Sequence, residues 1–136
     1  MKNVKGMMVT VDDFGGFVTT FRTQTASFEN GKLTSVIIRH PTVFYRYIGG
    51  KRFLVYADEE ILKRPFGKTL TLAITVNGNL TNDRLFGDLF ICNVGKKNQP
   101  TALTEKDIKL IRSRIVKQYF DYLPTLYIKS ECKEYL

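Results

Sequence analysis

The sequence predicts an α+β fold: an antiparallel sheet of five to seven strands, with one long C-terminal helix over about residues 104–123 packed on one face. Two observations carry that expectation. Turn signals recur along the chain before Thr104 (Asp13-Phe14-Gly15-Gly16, Asn30-Gly31, Gly49-Gly50, Asn77-Gly78-Asn79, Asn93-Val94-Gly95-Lys96), and they separate runs rich in β-branched and aromatic residues. After Thr104 the apolar spacing changes to three and four, the period of a helix. A chain of 136 residues, 43% hydrophobic, is one domain over residues 1–136 with ample material for a core.

In chain order, residues 7–11 read as an edge strand. Residues 17–28 alternate loosely (Phe17, Thr19, Phe21) and should pair with residues 33–39 across Glu29-Asn30-Gly31-Lys32, because Asn-Gly supplies the positive φ values of a tight hairpin. Residues 42–48 and 51–57 make the next hairpin around Gly49-Gly50. Asp58 to Lys63 offers one helical turn, acids leading and a base trailing as the helix dipole prefers, and Pro65 closes it. Residues 69–76 alternate Thr with Leu, Ile and Val, as a half-buried strand does. Residues 85–94 are more continuously apolar and therefore more central.

Thr104-Glu105-Lys106-Asp107 reads as a helix cap followed by first-turn acids. Ile108, Ile111, Ile115, Tyr119, Tyr122 and Leu123 then form one apolar stripe, opposite Lys106, Ser113, Arg114 and Lys117, with Pro124 as the stop. The last twelve residues (TLYIKSECKEYL) fit either a short strand or a second helix. They complete the sheet or swap with a neighbour, so a homodimer is compatible with the pattern.

The formal net charge is +8, from 21 Lys and Arg against 13 Asp and Glu, spread along the chain without a basic tail. A field of that sign favours polyanions or acidic protein surfaces. No apolar run approaches the span of a bilayer, and the N-terminal apolar stretch is too short and interrupted for a signal peptide, so we expect a cytoplasmic protein without a membrane partner. Cys92 and Cys132 stand too far apart in sequence for a zinc or redox motif, and no disulfide, metal or cofactor is expected.

The residues suited to catalysis are sparse. His40 is the single histidine, it precedes Pro41 at a strand end, and no Gly-x-Ser-x-Gly elbow accompanies it. Asp13-Phe14-Gly15 matches a kinase motif in spelling alone, and neither Gly-Gly pair leads into a phosphate loop. Asp58, Glu60 and Lys63 are the one set that fits a metal-dependent nuclease, and a solvated first helical turn explains these acids at lower cost. The pattern points more to a binding module than to an enzyme.

The strongest functional signal lies between Pro41 and Lys68, where Arg46, Lys51, Arg52, Lys63, Arg64 and Lys68 mix with Phe44, Tyr45, Tyr47, Phe53, Tyr56 and Phe66. A two-residue turn at Gly49-Gly50 pairs Ile48 with Lys51, Tyr47 with Arg52, Arg46 with Phe53, Tyr45 with Leu54 and Phe44 with Val55. Phe44, Ile48, Phe53 and Val55 make the better core set. Tyr45, Tyr47, Arg52 and Tyr56 then face outward, with Lys63 and Arg64 following. Cations among rings suit a single-stranded nucleic acid, with phosphates on the charges and bases stacked on the aromatics. The same residue types mark protein-binding hot spots. A third arrangement covers this face with the C-terminal helix, bringing Tyr119 and Tyr122 onto those rings. On that helix, Lys106, Lys109, Arg114 and Lys117 form an ordinary charged face, without the partner helix of a helix-turn-helix.

The segments KRFLVYADEE (51–60) and FGDLFICN (86–93), in a short Lys-, Asn- and Tyr-rich chain, resemble accessory proteins of bacterial mobile elements such as phages and conjugative plasmids. That resemblance implies an anti-defence or host-takeover protein that binds a bacterial partner, and it carries over no catalytic residue.

Overall fold

The computed structural model describes residues 2–12, 18–34, 38–120 and 122–132. In chain order its elements are β1 (Lys2–Asp12), β2 (Val18–Glu29), β3 (Lys32–Leu33), β4 (Pro41–Ile48), β5 (Lys51–Asp58), α1 (Glu59–Lys63), β6 (Leu70–Val76) and β7 (Asn79–Phe86). They continue with β8 (Leu89–Val94), β9 (Pro100–Thr101), α2 (Glu105–Arg112), β10 (Ile115–Phe120) and β11 (Leu123–Glu131). The strands form one eleven-stranded sheet in the order β3-β2-β1-β8-β5-β4-β11-β6-β7, with β10 beside β11 and β9 beside β8. Neighbours are antiparallel except β11 and β6, which run parallel from Ile128↔Leu72 to Glu131↔Thr75.

This architecture corrects the expected α+β fold with one long helix. The protein is mostly β, and α2 stops at Arg112, where the Ser113 N–H bonds back to the Lys109 carbonyl and the Arg114 N–H to the Ile111 carbonyl. The start of the helix is as read: Thr104 Oγ1 accepts from the Asp107 N–H at 3.1 Å, and the Asp107 carboxylate accepts from the Thr104 N–H at 2.8 Å. The remainder of the stripe is a hairpin, in which Ile115 pairs with Ile128 and Phe120 with Leu123. Ile115, Val116, Tyr119 and Phe120 are β-branched or aromatic, the types that favour a pleated surface. Pro124 sits inside β11 opposite Tyr119 rather than ending a helix. The tail through Glu131 completes the chain's own sheet, seated between β4 and β6.

Two further elements differ from expectation. The strand expected at an edge over residues 7–11 is longer and lies inside the sheet, between β2 and β8. Residues 85–94 divide into the end of β7 and the whole of β8, separated at Gly87, whose φ is +79°. The second strand turns at Asn30-Gly31 as expected, but the strand expected over residues 33–39 is reduced, among the described residues, to the pair 32–33, and the main partner of β2 is β1. Phe17 and the Asp13-Phe14-Gly15-Gly16 turn lie outside the described residues.

Strands β1, β5 and β8 are buried on both faces, and period two divides their side chains cleanly. Met7, Val9, Phe53, Val55, Ala57, Leu89 and Ile91 face an inner core, closed by Ile108 and Ile111 of α2 and reached by Leu72, Leu85 and Ile128. Met8, Leu54, Tyr56, Phe90 and Cys92 face an outer core, covered by Ala26, Phe28, Leu33 and Ile38. Strands far apart in the sheet share the inner core, so the sheet curls around it. Gly6 falls on the outer side of β1, where a Cβ would collide with the Phe90 ring and the Ile91 carbonyl.

Candidate nucleic-acid interface

The β4–β5 hairpin positions the candidate residues. Its register is the one that Gly49-Gly50 dictates, from Ile48↔Lys51 to Phe44↔Val55 and on to Pro41↔Asp58. Gly49 and Gly50 take φ values of +61° and +85°, the pair of positive angles that a type I′ turn needs. Glu131 seals the turn by accepting from both N–H groups, at 2.9 and 3.3 Å. Inner and outer faces divide as period two requires: Ile48, Phe53 and Val55 enter the inner core with Phe44 packed against it.

The six candidate residues do not form one surface. Tyr45 is 41% exposed, and the Arg52 guanidinium carbon lies 4.8 Å above the centre of its ring. Tyr47, directly opposite Arg52, is half-buried, and its carbonyl accepts from the Ser130 hydroxyl at 2.7 Å. Tyr56 departs from the expected site. It is 5% exposed, with its ring 5.2 Å from that of Phe28, and burial pushes its hydroxyl well above the ordinary tyrosine range. The cause is β2, whose last residues fold Phe28 over the outer face of β5. Lys63 and Arg64 are exposed but follow the far end of β5, about 20 Å along the strand from Arg52. Lys63 is engaged there with Glu59 at 3.6 Å.

The covering-helix arrangement is also overturned, since residues 115–120 form strand β10, β11 begins at Leu123, and Tyr119 and Tyr122 remain 63% and 97% exposed. Arg46 is withdrawn from any ligand by a 2.8 Å ion pair with Asp83. The nuclease set has structural employment: Asp58 caps α1 by accepting from the Glu60 N–H at 2.9 Å. Glu60 lies 3.9 Å from Lys63. Among the described residues no three His, Cys, Asp or Glu converge as a metal site. His40 lies 3.8 Å from Asp58 with its side chain 58% exposed. No helix among the described residues is long and apolar enough to cross a membrane.

Two lysines complete the surface around Tyr45 and Arg52. Between β8 and β9 the chain makes a tight turn through Lys96, Lys97 and Asn98, with φ of +56° at Lys97 and +58° at Asn98. Gly95 and Gln99 close it with a 2.7 Å backbone hydrogen bond. Asn98 Oδ1 accepts from Arg52 at 3.5 Å, which sets both exposed lysines beside the stacked pair. The Asn30-Gly31 turn lies against the end of the Lys96–Asn98 turn, with Gly31 beside Gln99, and Lys32 follows it. Lys32, Arg52, Lys96 and Lys97 make no ion pair among the described residues. Glu29 is the carboxylate of the same turn.

The sequence shows the Asn93-Val94-Gly95-Lys96 turn, but nothing in it links that turn to Arg52. The link is made by the β5–β8 pairing, Phe53↔Asn93 and Leu54↔Cys92. The arrangement offers a guanidinium–phenol stack open to solvent, with cations around it. Rings of that kind accept a base face to face, while the charges neutralise phosphates. No family model matches the chain, and no curated protein or solved structure matches it at a significant level.

Proposed function

We propose that the protein is a non-enzymatic binding module that holds single-stranded nucleic acid across the Tyr45–Arg52 face. Bases stack on Tyr45 and the Arg52 plane, and the backbone follows Lys96 and Lys97. The observation behind the reading is the Arg52 guanidinium 4.8 Å over a solvent-open ring, with cations beside it that no carboxylate engages among the described residues.

The test is binding of fluorescent single- and double-stranded DNA and RNA at low and near-physiological salt. Replacing Tyr45 by Ala and Arg52 by Gln together should weaken single-strand binding by at least about tenfold, since one stacked base is worth about 1–3 kcal/mol. Replacing Lys96 and Lys97 by Gln should instead flatten the salt dependence by about 0.7 for each phosphate no longer neutralised. Full-strength binding after the Tyr45/Arg52 change would overturn the reading. An acidic protein captured through the same two residues, without nucleic-acid affinity, would establish the inhibitor or adaptor that the mobile-element resemblance implies.

A further inference from the structure

The C-terminal hairpin leaves a gap in the sheet. Parallel pairing of β11 with β6 begins only at Ile128↔Leu72. Upstream of that pair, residues 123–127 pair with β10, and no ladder pair joins them to β6. The resulting cleft has a volume of about 360 Å³, at the small end of ligand pockets. None of its lining residues belongs to the Tyr45–Arg52 face.

Its lining is apolar on the floor and cationic at the side. Leu70, Phe86 and Phe120 belong to a small third core with Ala73 and Tyr127, and the partly exposed Leu123 also lines the cleft. Lys68 and Arg84 supply positive charge, and the lining contains no carboxylate among the described residues. Arg84 Nε donates to the Thr81 carbonyl at 2.8 Å, which fixes the plane of the guanidinium. Its terminal nitrogens make no hydrogen bond among the described residues. That is half of a fork that a carboxylate completes. Phe66 and Tyr122, next in chain to the lining residues Gly67 and Leu123, are 99% and 97% exposed.

We infer that this cleft binds a small amphipathic acid: an aliphatic chain or single ring seated on Leu70, Phe86 and Phe120, with its carboxylate on Arg84. An apolar body alone would not use the cation, and a bare inorganic anion would leave the floor wet. The site stands whether or not the Tyr45–Arg52 face binds nucleic acid.

Calorimetric titration of the full chain with octanoate, and with octanamide as the neutral match, tests it. We expect saturable one-to-one binding of octanoate in the sub-millimolar range and at least tenfold weaker binding of the amide. Arg84→Gln should weaken octanoate at least tenfold without moving the unfolding midpoint, whereas Arg52→Gln should leave it unchanged. Should Arg84→Gln disturb folding, Leu123→Asp in the cleft lining, where the side chain is 46% exposed, must abolish binding instead. Absence of saturable octanoate binding, equal affinity for the amide, or equal losses in Arg84→Gln and Arg52→Gln would overturn the assignment.

Discussion

Asp107 ties α2 to the hairpin that carries the candidate interface, and its removal has a calculable effect. Its carboxylate is 5% exposed and accepts from Lys51 Nζ at 2.7 Å, Asn93 Nδ2 at 2.6 Å and the Thr104 N–H at 2.8 Å. Burial by itself would push its pKa up. The donors, Lys51 foremost, outweigh burial and hold it at about 2 against an ordinary 3.8. At 1.36 kcal/mol per pH unit that depression corresponds to about 2 kcal/mol of native-state stability. Because the folded value lies below the unfolded one, the contribution is complete above the unfolded value and is lost as pH falls through the folded value. About half should remain at roughly pH 3.

Asp107→Asn should therefore cost about 2 kcal/mol near neutral pH and about 1 kcal/mol at roughly pH 3. Urea unfolding followed by circular dichroism at both pH values reads this as a gap between the two midpoints, close to 1 M at neutrality and narrowing in acid. A gap that is the same at both pH values would show that the carboxylate's charge contributes nothing, and the linkage argument would fail.

Gly6→Ala should lower stability by about 1–3 kcal/mol, seen as a fall of several degrees in the thermal midpoint, because the added methyl meets Phe90 and the Ile91 carbonyl inside a packed sheet. An unchanged midpoint would mean that the outer core is looser than described. Cys92 is fully buried, and burial pushes its thiol up to about 12. A thiol reagent at mildly alkaline pH should therefore modify Cys132 in the native protein and reach Cys92 only after denaturant is added. Rapid reaction of both thiols in the native state would contradict the burial of β8.

The β4–β5 hairpin is the part most legible from the sequence, for a local reason. Two consecutive glycines with positive φ fix a two-residue turn, and the turn fixes every cross-strand pair and its face. What lies over each face is not local. Tyr56 reads as outward-facing because nothing near it in sequence announces that Phe28 will cover it. The Thr104 cap is equally local and stands as read.

The long helix misleads because Ile108, Ile111, Ile115 and Tyr119 satisfy spacings of three and four across a real break at Ser113. Beyond that break, the residues that decide are in the partner strand: Leu126 and Ile128 are the pairing partners of Lys117 and Ile115. The polar strand β7, NLTNDRLF, carries no alternation strong enough to announce it and is held by its pairing with β6. In the interface, the turn that carries Lys96 and Lys97 meets Arg52 through Asn98, across a pairing between segments some forty positions apart.

The placement of β11 has a consequence for how the chain reaches its native state. Strands β4 and β6 never pair with each other; β11 lies between them and is the last described strand to be synthesised. Until it emerges, the β6–β7 hairpin has no strand joining it to the rest of the sheet, and the inner core lacks Ile128. A nascent chain therefore carries two unjoined sheet fragments with open edges, and such edges recruit other strands. Closure demands contacts between residues far apart in sequence, the kind that form slowly. Completion of the fold thus waits on a single central strand.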